Sequence, residues 1–229
     1  HGDATEVANG TDPTDSRSPF VLRTMAFDAG DIVTVPVHAA QTKLNGAVTV
    51  ELWVKPDALA DNSVLVSKAS GSEVAYRIAY DSNGDVTFTS GSQSIATTNE
   101  ARLTAGEWNH IRASATDSRL SLVVYAPDAN EEYREHSFVR YLTHTVPDEN
   151  GALTLGGGNF DGALDDVRIA AASLFGKRTT LMTEDDNLWS MLIAYYPFDD
   201  GGDTVEDATA PDSENLVGTI SGASFQPDE

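Results

Sequence analysis

The sequence predicts an all-β chain folded as a two-sheet antiparallel β-sandwich, with at most one or two short helical turns. Three observations carry this reading. Short runs alternate apolar and polar residues with the period of two that a half-buried strand requires, as in Val48, Val50, Leu52 and Val54 set against Thr49, Glu51, Trp53 and Lys55. Turn chemistry recurs between the runs, and Asn83-Gly84 within Asp81-Ser82-Asn83-Gly84-Asp85 is the strongest short hairpin signal. Helical periodicity is confined to a mild tendency over residues 170–183.

Taken in order, residues 1–19 are polar, rich in Asp, Thr and Ser, and without periodicity, so they read as an N-terminal tail or linker. Residues 20–229 read as one domain. Strands are expected over 25–28 and 32–35, separated by Ala29-Gly30-Asp31. The 48–54 strand follows, with core on one face and an indole on the other. Residues 63–68 and 75–80 form a pair, and the hairpin turn leads into 86–89. Gly106 breaks the chain before a strand over 108–115, which continues through Thr116-Asp117-Ser118 into 120–125. The stretch 127–147 is longer than a tight turn and interleaves Tyr133, His136, Phe138, Tyr141 and His144 with charges. It reads as a functional loop or an extra hairpin beside the sheet.

Val167 and Ile169 fall on one face of a run at 163–169 and Arg168 on the other. Two carboxylates, Asp165 and Asp166, stand where that strand starts. Adjacent strand residues point to opposite faces, so one of them is directed inward and needs a cation or several donors. Residues 190–225 then either add outer strands to the same domain or open a following one. Too few residues follow to build a second core, which favours the first.

Composition bounds the function. The chain has 229 residues, a formal charge of −22 and a pI near 4.3, enough length for one sizeable core. Nucleic acid is a poor partner, because binding it requires Lys and Arg to displace phosphate counterions. Anionic membranes are disfavoured for the same reason. No run is long and apolar enough to insert into a bilayer. Lys43, Lys55, Lys68 and Lys177 are the only lysines, while aspartates recur in most expected loops. Two readings of that pattern stay open: a solvated acidic surface suited to salty water, or loops that hold divalent cations. Cysteine is absent, so neither disulfides nor thiolate metal sites form.

Four segments carry a resemblance. Gly156-Gly157-Gly158-Asn159-Phe160-Asp161-Gly162-Ala163-Leu164-Asp165-Asp166-Val167-Arg168-Ile169 resembles the closing motif of laminin-G-like, concanavalin A-like jelly-roll domains. Residues 25–36, MAFDAGDIVTVP, resemble their opening segment; 48–56, VTVELWVKP, resembles T-[IV]-E-x-W-[VI]-K-P; and 103–111, LTAGEWNHI, resembles L-x-x-G-x-W-x-H-[VI]. Residues 191–201 resemble a phrase that ordinarily precedes the opening strand.

The resemblance implies a secreted or cell-surface location, and a structural Ca2+ ion tying the opening segment to the closing strand. Asp165 is the matching ligand, with Asp28 and Asp31 as partners; pairing of these carboxylates with Arg168 or Arg23 is the alternative. Asp161 and Asp166 are expected to face solvent. The related glucanases use a strand motif E-x-D-x-x-E. This chain lacks it, Glu51 beside Trp53 being the nearest approach, so the chain is read as a non-enzyme.

Sugar binding needs exposed aromatics and a few polar groups. Trp53, Tyr133 and Tyr141 are the candidate ligand-binding residues, with Tyr76, Trp108, Tyr125 and Trp189 also weighed. Cover by Tyr195-Tyr196 is the competing expectation for Trp53, and a core position for Trp108 and His110. The resulting expectation is a recognition or adhesion module for glycan or cell-surface polysaccharide. A self-associating subunit of a surface layer or filament, with copies of itself as partners, is the second.

Overall fold

A computed structural model describes residues 23–41, 43–99, 101–127, 133–148, 150–174, 188–209 and 217–227. The expected tail at 1–19 and most of the mildly helical stretch at 170–183 lie outside them. Sixteen strands lie among the described residues. They are β1 Arg23–Phe27, β2 Ile32–Val35, β3 Ala47–Pro56, β4 Ser63–Ser70, β5 Glu73–Tyr80, β6 Val86–Ser90, β7 Gln93–Ala96 and β8 Asn109–Thr116, then β9 Arg119–Pro127, β10 Tyr133–Tyr141, β11 Leu153–Gly156, β12 Gly162–Ala170, β13 Leu192–Tyr196, β14 Thr204–Glu206, β15 Val217–Ser221 and β16 Ser224–Pro227. Two single 3-10 turns, Ala39–Gln41 and Trp189–Met191, are the helical content among the described residues.

The strands pair antiparallel into two sheets. The first runs β10-β9-β8-β3-β12-β1-β16, with β13 also on β12; the second runs β14-β15-β2-β11-β4-β5-β6-β7. Each strand turns its apolar positions toward the other sheet. Val50, Leu52, Val54, Ile111, Leu122 and Leu164 from the first meet Val33, Val35, Val66, Ile78, Phe88 and Leu155 from the second, all fully buried. Each contributes about 1.5–3 kcal/mol by transfer from water. Tyr76, weighed above for ring stacking, is instead core.

The stretch 127–147 contains β10, which pairs with β9 along its whole length. It is thus the extra hairpin beside the sheet, one of the two readings the sequence offered. The C-terminal segment joins the same sandwich: β13 pairs with β12, β15 with β2, and β16 with β1.

The knot of that C-terminal clasp is Asp207, 5% exposed. Its Oδ1 accepts the Tyr195 N–H at 3.0 Å and the Thr209 N–H and hydroxyl at 2.9 and 2.7 Å, and its Oδ2 accepts Gln41 Nε2 at 3.1 Å. Gln41 Nε2 also lies 3.2 Å from the Tyr196 hydroxyl. Burial pushes the Asp207 carboxyl above the ordinary aspartate range, although these donors pull the other way. An acid raised in the folded state stabilises the fold while protonated and loses that contribution as pH rises through its folded value. Asp207→Asn should therefore remove a falling component: the Tm difference, wild type minus variant, declines as pH rises above about 4, the ordinary aspartate value. A flat or rising difference would contradict this. Asp207→Ala orphans the donors and should lower unfolding free energy by about 1–3 kcal/mol in urea titrations.

Candidate functional site

The site is laid out by β12. At Gly162, φ is +144°, and a Cβ there would stand 2.3 Å from the Lys55 carbonyl, so glycine alone permits this approach of β12 to the end of β3. Leu164 then points into the core and Asp165 outward, opposite Trp53. At Asp166 the backbone turns left-handed, φ 51°, and the β12–β3 register slips between Asp165 and Arg168. This bulge adds a residue, which returns Val167 to the core and sends Arg168 outward.

Asp166 is thus buried, not solvent-facing as the sequence suggested. Its Oδ2 accepts Arg168 Nη2 at 2.8 Å and its Oδ1 accepts the Tyr195 hydroxyl at 2.7 Å. The guanidinium lies 5.2 Å from the Tyr195 ring centroid. Burial, and then the Asp166 charge, push the Tyr195 hydroxyl well above the ordinary tyrosine range, so it stays a donor. Arg168 stands opposite Glu51, 4% exposed, whose Oε1 is 3.0 Å from His110 Nε2. A mostly apolar pocket lies beside it, lined by Thr49, Glu51, Arg168, Leu174, Leu188 and Leu192.

The metal candidates do not converge. Asp28 and Asp31 share the β1–β2 turn, where the Asp28 N–H bonds Asp31 Oδ2 at 2.9 Å. Asp165 lies three residues along β12 from Gly162, the partner of Phe27, about 10 Å of strand. Its Oδ1 accepts the Asp166 N–H at 2.8 Å. Among the described residues no group of three or more His, Asp or Glu is arranged to hold a metal ion. Burial, and then the Asp57 and Asp28 charges, raise the Asp161 carboxyl above the ordinary aspartate range.

The aromatic candidates fare differently. Trp53 is half-buried, its ring 4.9 Å from the His110 ring in an edge contact. Tyr195-Tyr196 does not cover it, because that segment pairs as a strand beside Val167 and Arg168. His110 is buried and Trp108 half-buried. Across the sheet, Trp53 stands opposite His110, and His110 opposite Tyr125. Tyr141 ends β10 opposite Arg119 and is 79% exposed. Tyr133 pairs with Pro127, and its side chain lies outside the description.

Registers without a slip from β3 to β10 put Trp53, Tyr125 and Tyr141 on one outer face, with Arg112, Arg119, Ser121 and Ser137 between them. Trp53 and Tyr125 are about 10 Å apart across two strand spacings, and Tyr141 lies about 20 Å along the strands from the Tyr125 row. Arg112 and Arg119 were not singled out from the sequence. Their alternation with Ile111 and Leu120 was the available signal.

Residues 27–176 match the family described as the concanavalin A-like lectin/glucanases superfamily. The chain belongs to that superfamily. No curated protein sequence matches it. Among solved structures, a Bacteroides ovatus protein provisionally assigned to carbohydrate binding aligns with a TM-score of 0.61 and 14% identity, over 90% of this chain and 60% of that one. Laminin-G domains LG4-5 of the mouse laminin alpha1 chain align at 0.47 and 16%, over 71% and 45%. This concanavalin A-like chain therefore spans about 60% of the length of the Bacteroides protein.

The buried charges give a stability test of the site. Arg168→Ala leaves Asp166 and Glu51 buried beside an empty space and should cost about 3–5 kcal/mol in urea unfolding. A loss below that of an exposed arginine would show that the pair is not a buried support.

Proposed function

We propose that this chain is a non-catalytic carbohydrate-recognition module, secreted or displayed at a cell surface, that binds polysaccharide along the outer face of the first sheet. The observation that carries the reading is the shared face of Trp53, Tyr125 and Tyr141. Aromatic rings offer flat apolar area to the C–H faces of sugars, and Arg112, Ser121 and Ser137 between them offer hydroxyl partners, while Arg119 donates to the Ser173 hydroxyl at 3.1 Å. The Bacteroides neighbour, provisionally assigned the same role, shares the fold. Of the carboxylates on that side of the sheet, Glu51 and Asp166 are buried and each in contact with a cationic or ionisable partner, while Asp165 and Glu135 stand opposite Trp53 and Tyr125 on strands separated by β3, β8 and β9. The non-catalytic reading rests on the lack of an E-x-D-x-x-E strand motif. No helix among the described residues is long and apolar enough to cross a membrane.

Glycan-array binding tests this directly. Trp53→Ala, Tyr125→Ala and Tyr141→Ala should each weaken binding about 2- to 10-fold, the range of a lost ring contact, with Tm unchanged for Tyr141→Ala. Absence of any glycan ligand, or binding untouched by all three changes, would refute the reading.

Calcium is carried as a proposal restricted to the Asp28–Asp31 turn, with backbone carbonyls completing the oxygen set. Under it, added Ca2+ raises Tm and a chelator lowers it, and Asp31→Asn abolishes the difference. A Tm indifferent to both additions ends that proposal. A second reading of the partner, copies of the chain itself, is favoured by the length of the β10 edge.

A further inference from the structure

His110 sits between two of the rings on the outer face of the first sheet, yet it is only 2% exposed. Its neighbour Ile111 points into the core, so the pleat turns the imidazole outward, between Trp53 of β3 and Tyr125 of β9. Two contacts define its surroundings. Its ring centroid lies 4.9 Å from that of Trp53, tilted by 64°, and its Nε2 lies 3.0 Å from Oε1 of the buried Glu51. Trp53 is half-buried, so one indole meets the imidazole and also opens to solvent.

A histidine side chain can change charge between about pH 5 and 8. With a second proton, the imidazole forms an ion pair with Glu51, and the ring contact falls within cation–π reach of the indole. The other charged or titratable groups around it come from four strands. Arg112 of β8 stands opposite Glu51, and Lys55 lies two residues along β3 from Trp53. Arg168 and Asp165 of β12 stand opposite Glu51 and Trp53. Tyr125 of β9 faces His110 directly, with Glu135 of β10 beyond it. His110 is the one histidine in this set.

We propose that His110 is a positioning residue for Trp53, and that its protonated form holds the indole more firmly and so tightens glycan binding. This rests on the carbohydrate-recognition reading and adds its regulation by pH. A ring fixed before the sugar arrives removes part of the ordering cost of binding. As pH rises and the imidazolium loses its proton, the attraction to Glu51 and the cation–π contact lapse together. The sugar must then order the indole itself. His110 acts through Trp53 and not by touching the glycan.

Glycan arrays run with the whole chain at about pH 5 and about pH 8 test this. Wild-type binding should fall about 2- to 10-fold from the first to the second, the worth of an aromatic pair contact. His110→Gln should bind at the weaker level at both, and Trp53→Ala should show no pH step. In the free wild type, the Trp53 indole N–H resonance should move with pH over that range, and in His110→Gln it should not. Should His110→Gln fail to fold, the wild-type profiles and Trp53→Ala decide. Arrays empty at both pH values refute the recognition reading, and this proposal falls with it. Glycan bound equally at both, a pH step that survives in Trp53→Ala, or an indole resonance indifferent to pH overturns the role of His110 while leaving recognition standing.

Discussion

A buried guanidinium sets the terms for the rest of this structure. Arg168 is 2% exposed, and a charge so placed costs several kcal/mol unless other groups compensate it. The bulge at Asp166 supplies that compensation by swinging a carboxylate to the same side, and the Tyr195 hydroxyl completes it from β13. The closing strand and the C-terminal segment are thus held by one polar cluster, which explains why β13 lies on β12 and not in a second core. Asp207 fixes the other end of that segment through Gln41, Tyr195 and Thr209. The clasp is polar at both ends and apolar between them, where Ala194 and Tyr196 are buried.

Much of the sandwich was legible because alternation survives wherever a strand is regular. In β3, Val48 to Val54 read inward and Trp53 outward, as the structure has them. Legibility failed where a local event breaks the period of two. Asp166 adopts a positive φ that no spacing rule marks for an aspartate, and the slip moves it from solvent to a buried pair. The spacing of the resemblance-implied metal set was not legible for a related reason: a motif names residues in order but not their separation along a strand, and Asp165 stands about 10 Å of strand from the Phe27 pair beside the turn of Asp28 and Asp31. Tyr76 shares the buried face of β5 with Ile78 and Tyr80, an alternation the sequence carries, although a tyrosine there also suits stacking.

The outer face of the first sheet gains its character from what lies beneath it. Glu51 and His110 are buried under their neighbours, which leaves Trp53 propped edge-on by the imidazole and half-open. Glu51 and Asp166 are buried beside His110 and Arg168, while Tyr141 and Ser137 remain at the surface.

The most direct measurement is an amide NMR titration with an oligosaccharide from whichever polysaccharide the protein retains. The shifts should cluster at Trp53, its indole N–H included, and at Arg112, Tyr125, Ser137 and Tyr141. Shifts gathered instead at Thr34, Ser67, Arg77 and Thr154, which cross the second sheet in register, would place the sugar on the opposite side of the sandwich and contradict the account.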